Sequence, residues 1–168
     1  MSRRTRPSTC SFRTGRRPRV RGGRTWAVDA ELASAYWFPR QCPRAMAWAV
    51  GSSSRRDVQR VLGPAGRRVH AVERGWLSRL GDTRLYAYRL PAGSFRPIGS
   101  PRPHAFVSTG AVRPLAPAEP VGDLLELHHA AGSELRVLDS VWPFWDAVVG
   151  SSLAFSGIRL RNAVPRSA

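Results

Sequence analysis

Tyr36, Trp37, Arg40 and Arg44 lie within one short segment, AYWFPRQCPR. Their types suit one kind of chemistry. Aromatic rings offer stacking faces, and guanidinium groups offer paired donors to a phosphate or carboxylate. A nucleotide-like anion is therefore the ligand class the segment fits. Tyr36, Trp37 and Phe38 are consecutive, so on a helix they spread over most of its circumference. At most two can face one core, and the third needs another partner or a ligand. The alternative is structural: the rings pack on two elements while the arginines cap helix carbonyls or pair with acids.

Other chemistry-bearing residues are sparser. His128 and His129 are adjacent, so on a helix they point about 100° apart and cannot share a metal from one face. Glu126 and His129 make a single ExxH step, whereas two-metal bundles use that step in duplicate. A solvated helix face is the expectation for this group, and no metal site is expected. Asp146 sits between Trp145 and Ala147 in an aromatic stretch. It is expected to face solvent or to pair with an arginine such as Arg159 or Arg161. No GxSxG, P-loop or GxGxxG pattern occurs, and the serine clusters have no nearby histidine. No catalytic residue or cofactor can be named from these patterns.

The elements that would position these groups are short and mixed. TWAV reads as a strand, and Asp29 caps a helix that Pro39 stops near Phe38. AMAWAV, RRVHAVE, TRLYAYRL, HAFVS, Val112–Leu115 and ELRVL read as strands. Ser54 and Asp57 form a capping box for a helix carrying Val58, Val61 and Leu62. A short helix is expected over Trp76–Leu80, and another from Asp123 to Ala131, closed by Gly132. Ser140 caps WPFWDAVV, with Pro143 in its first turn and an end as late as Phe155. Pro91–Pro103 reads as a loop. No regular βαβ repeat appears, so the fold class is α+β: one compact domain over 25–163, with a C-terminal tail over 164–168.

The chain has 168 residues and a net charge of +16. All 27 basic residues are Arg, and nine of them fall before Thr25, where no acid occurs. The rest of the chain carries 18 Arg against 11 acids. An Arg, Ala, Gly and Pro surplus without Lys is what GC-rich coding DNA produces, which weakens nucleic-acid binding as the explanation of the body's charge. Residues 1–24 have almost nothing to bury and are expected to be a disordered Arg-rich tail. Such a tail could bind nucleic acid, or could come from a frame change or wrong start. No apolar run approaches the roughly 18 residues of a membrane helix, and no apolar segment follows the basic start as in a secretory signal. Cys10 and Cys42 have no metal-ligand spacing. They could form one disulfide, but nothing in the pattern demands it, and a reduced, cytoplasmic thiol pair is the expectation.

From Thr25 to Ala163 the chain resembles an uncharacterised bacterial family of unknown function. The stretches that carry the resemblance are TWAVDAE, AYWFPRQCPR, TRLYAYRLP, VGDLLEL, ELRVL, WPFWDAVV with its preceding serine, and LAFSGIRLRNA. Members of that family begin with an apolar strand ending in a His-Phe-Ser-Glu type motif, which residues 2–23 do not reproduce. That opening is similar to ADP-ribosyltransferase-like enzymes, where a strand His and a later Tyr bind a nicotinamide dinucleotide and a Glu aids catalysis. The resemblance implies Tyr36 in the middle role. It finds no His on a first strand, and Gly110 where relatives tend to carry the acid. It therefore implies a degenerate enzyme, or a binding remnant lacking two of three groups.

Overall fold

The computed structural model describes residues 9–14, 23–64, 67–99 and 103–166. The fold is α+β, built from ten strands and four short α-helices among the described residues. The chain divides into two compact units, Met1–Trp37 with Arg84–Gly122, and Phe38–Thr83 with Asp123–Ala168.

The first unit holds two three-stranded sheets. In one, β5 (Leu85–Leu90) lies between β1 (Thr9–Thr14) and β8 (Glu119–Pro120), and both pairings are antiparallel. In the other, β7 (Ala105–Ser108) lies between β2 (Thr25–Ala27) and β6 (Arg96–Ile98), again antiparallel. Ala27, Tyr88, Leu90 and Phe95 form a buried cluster. β1 falls within the segment expected to be disordered. It is a six-residue ladder whose register runs from Thr9 opposite Leu90 to Thr14 opposite Leu85. Backbone pairing to β5 is what its composition left out of account. The rest of that tail, 1–8 and 15–22, lies outside the described residues.

Two further expectations differ here. β6 interrupts the expected 91–103 loop, using its Pro97 on an edge strand where a missing donor is tolerated. Val112–Leu115 forms no strand. Pro114 and Pro117 remove donors on either side of Leu115, whose N–H bonds the Arg89 carbonyl at 2.8 Å.

The second unit is a four-stranded sheet with helices. Its order is β10 (Ala154–Ile158), β3 (Arg44–Trp48), β4 (Arg68–Glu73), β9 (Glu134–Leu138). β10–β3 and β3–β4 are antiparallel, and β4–β9 is parallel. α1 (Arg55–Asp57) continues as a π-helical turn over Val58–Leu62, in which the Gly63 N–H bonds the Val58 carbonyl at 3.2 Å. Arg136 on β9 donates to the Val61 and Leu62 carbonyls at 2.8 and 3.0 Å, and so takes up acceptors that a helix end leaves open. The remaining helices are α2 (Leu77–Asp82), α3 (Leu124–Ala130) and α4 (Trp142–Val149).

Alternation along the strands gives this sheet two different faces. Ala45, Ala47, Val69 and Ala71 lie on one. They are small enough for Phe144 and Val148 of α4 and Val61 and Leu62 to pack closely, and this is the main apolar core of the unit. Arg44, Met46, His70 and Val72 lie on the other face, and all four are buried. β4 is thus buried on both sides, as a central strand with both faces covered must be.

The caps behave as the sequence implies. Asp57 N–H bonds Ser54 Oγ at 3.1 Å, and Asp123 Oδ1 accepts from Leu125 and Glu126 N–H. Gly132 takes φ +63° after α3, the left-handed closure a glycine permits. α4 ends at Val149, well short of Phe155, because Gly150-Ser151-Ser152 turns the chain into β10. The C-terminal residues 164–166, expected as a tail, are fixed. The Val164 N–H donates to both Glu73 carboxylate oxygens at 3.1 Å, and Arg166 pairs with Asp146. No helix among the described residues is long and apolar enough to cross a membrane.

Candidate functional site

The AYWFPRQCPR segment is less helical than its pattern suggests. A single 3-10 turn, Ala33–Tyr36, ends at Trp37, whose ψ of 59° leaves helical geometry two residues before Pro39. Asp29 Oδ1 accepts from the Leu32 N–H at 2.9 Å and starts that turn. Tyr36 and Trp37 are half-buried and belong to the first unit. Phe38, Arg40 and Arg44 belong to the second unit, and the geometry below is confined to it.

Arg40 and Arg44 have different surroundings. Arg40 is exposed. Arg44 is 5% exposed, lies over the Phe38 ring at 4.7 Å and donates to the Cys42 carbonyl at 3.2 Å. Cys42 is a free thiol at full burial, and desolvation pushes its pKa up to about 12, so it stays protonated.

The loop carrying Arg40 is fastened to a second loop. Asn162 Nδ2 donates to the Gln41 carbonyl at 2.8 Å and to Gln41 Oε1 at 3.2 Å. Asn162 ends a 3-10 turn, Leu160–Asn162, that begins at Arg159. Arg159 has φ +57°, the one non-glycine residue with positive φ among the described residues. Cβ crowding makes that conformation costly for arginine. Strand register brings the same two loops together, since Ile158 of β10 pairs with Arg44 of β3. Arg40, Arg159 and Arg161 are thus gathered at one end of the sheet, all exposed. None of them forms an ion pair among the described residues. Arg159 and Arg161 are not the partners of Asp146, because Arg166 holds that carboxylate with two contacts of 2.8 Å. This bidentate pair holds the Asp146 pKa below the usual carboxylate range.

The buried face of the sheet holds a histidine pair that periodicity did not reveal. His128 was expected on a solvated face but is 1% exposed. It packs against His70 of β4 with ring centroids 5.3 Å apart and planes at 90°. Phe38 stacks edge-on against both rings, at 4.7 Å from His128 and 5.8 Å from His70. His129 and Glu126 are exposed, so only half of the expectation for this helix holds. The missed signal lies in α3 itself: Leu124 and His128 are four residues apart and share the inward face. Burial, helped by the nearby positive charges of His128, Arg68 and Arg44, drives the His70 pKa down to about 2, so its imidazole is neutral.

In the first unit, a hollow of about 380 Å³ is lined by Tyr86, Pro117, Ala118 and Pro120. It offers an aromatic face but no charged wall. Among the described residues no three His, Cys, Asp or Glu side chains gather as metal ligands.

No curated protein and no solved structure matches the chain, so the likeness to ADP-ribosyltransferases has no support beyond sequence pattern. The profile of a family of unknown function (DUF6886) matches residues 10–163, from within β1 to the close of the last 3-10 turn. The chain belongs to that family.

Proposed function

We propose that the protein binds a phosphate-bearing, nucleotide-sized anion at the end of the four-stranded sheet, with Arg40, Arg159 and Arg161 as its donors. The observation that carries this reading is the clamp of Asn162 on Gln41, which joins two arginine-bearing loops. Joining the two arginine-bearing loops before a ligand arrives lowers the ordering cost of binding. Like charges held together also repel one another, and an anion relieves that repulsion. Arg44, buried and paired with Ile158 next to Arg159, adds a further positive charge to this part of the unit.

Tyr36 and Trp37 suit base stacking by residue type, but anion binding here needs only the arginines. Transferase activity is not part of it. Tyr36 is present, but no first-strand histidine has been identified and Gly110 takes the place of the acid. Nucleic acid is the second candidate ligand, through the nine arginines of residues 1–24. The two differ in salt response and in location, because binding through the tail weakens steeply with salt and is insensitive to Arg40→Ala and Arg161→Ala. We place the activity in the cytoplasm, where Cys10 and Cys42 stay reduced.

Thermal stabilisation by pyrophosphate and by nucleoside di- and triphosphates tests the proposal, with Arg40→Ala and Arg161→Ala as the variants.

A further inference from the structure

We infer that His70 and His128, with Met46, form a buried binding site for a single copper(I) ion. Three observations lead there. First, His70 is 0% exposed, and neither of its ring nitrogens has a hydrogen-bond partner among the described residues. Native proteins rarely bury a polar group in this way without a use for it. Second, His128 is oriented as metal-binding histidines are. Its Nδ1 lies 2.6 Å from the Leu124 carbonyl, which can only accept, so Nδ1 carries the proton and Nε2 the lone pair. Third, Met46 of β3 stands directly opposite His70 of β4, so the thioether and the imidazole share one face of the sheet.

The ring geometry suits a shared ion. With a metal–nitrogen bond of about 2.0 Å, an imidazole centroid lies roughly 3.1 Å from the metal. Two centroids 5.3 Å apart then subtend the ion at roughly 115–120°, between tetrahedral and trigonal geometry.

The donor set selects the metal. Two imidazoles and one thioether are soft to borderline ligands, which favour copper(I). The third, anionic or imidazole ligand of a zinc site is lacking among the described residues. The guanidinium groups of Arg44 and Arg68 act on His70, and a monovalent ion adds less charge beside them than a divalent one. Phe38 covers both rings and Met46 is 1% exposed, so the site is dry, as an oxidation-prone ion requires.

The experiment uses the full chain carrying Cys10→Ser, which removes a competing thiol. The protein is loaded anaerobically with copper(I) and challenged with the chelator bicinchoninate, and the copper is then examined by X-ray absorption. One copper(I) per chain is expected, with two nitrogen ligands and one sulfur ligand. His70→Gln and His128→Gln are expected to weaken binding by tenfold or more. Met46→Leu conserves volume and so keeps the fold. It is expected to retain copper while losing the sulfur signal. Failure of the parent protein to retain copper overturns the inference. So does unchanged affinity in His70→Gln, or a sulfur ligand that persists in Met46→Leu.

Discussion

His70 on β4 and His128 on α3 meet edge to face, with ring centroids 5.3 Å apart, at the centre of the buried face of the four-stranded sheet. Burial holds the His70 imidazole neutral, His128 Nδ1 contacts the Leu124 carbonyl, and Phe38 packs edge-on against both rings.

A pH dependence follows for the metal-free protein. The His70 pKa falls from about 6.5 in the unfolded chain to about 2 in the folded one. Below pH 6.5 the unfolded chain takes up a proton that the folded chain refuses, so stability falls as pH falls. The slope from this one group approaches about 1.4 kcal/mol per pH unit between pH 6 and 4. Urea unfolding from pH 7.5 to 4.5 reads it, and His70→Gln is expected to flatten the profile.

Asp57 adds a second, more acidic step. Its Oδ2 accepts from Ser152 N–H at 2.9 Å, Ser152 Oγ at 2.7 Å and Ser54 Oγ at 3.0 Å, and its Oδ1 pairs with Arg60 at 3.0 Å. These donors hold its pKa below the normal carboxylate range, with the Ser152 hydroxyl the largest cause. The stabilisation is present above the unfolded pKa, near 4, and is lost as pH falls below it. Asp57→Asn is therefore expected to destabilise at pH 7, with the gap to wild type narrowing progressively as pH falls below 4 in thermal melts.

Gly157 marks the closest packing over β10. A Cβ there would lie 2.7 Å from Leu160 Cδ1 and 2.8 Å from the Trp145 ring. Gly157→Ala is expected to cost about 1–3 kcal/mol, as overpacking usually does. Denaturant titration checks this, and Gly51→Ala, where a Cβ meets open space, provides a comparison.

Arg159 separates folding from binding. Its left-handed backbone suits glycine better than arginine. Arg159→Gly is expected to leave stability unchanged or to raise it by about 0.5–1 kcal/mol. It is also expected to weaken anion binding several-fold. Paired thermal melts with and without pyrophosphate give both readouts from one sample.

How far the sequence revealed this structure can be judged from particular elements. The Ser54–Asp57 box, the Gly132 closure and the alternation of Leu85–Leu90 are local, and each appears where its residues imply. The 3-10 turn at Ala33–Tyr36 and the π turn at Val58–Leu62 were not legible as such. The first lacks continuation past Trp37, and the second depends on Arg136, 74 residues beyond Leu62. The candidate sites depend still more on tertiary pairing. Arg40 was legible as a donor from its segment. Its neighbours Arg159 and Arg161 come to it through the β10–β3 register and the Asn162–Gln41 bonds, which no local pattern encodes. His70 was hidden because RVHAVE alternates His with apolar residues on a strand buried on both faces, so periodicity could not tell an inward ligand from a tolerated polar residue.

The anion site is tested most directly by comparing pyrophosphate-induced thermal stabilisation of the full chain with that of Arg40→Ala and Arg161→Ala at fixed, moderate salt. Saturable stabilisation of wild type and about tenfold weaker apparent affinity in each variant are expected. Equal stabilisation of wild type and both variants, or none in any of them, would contradict it.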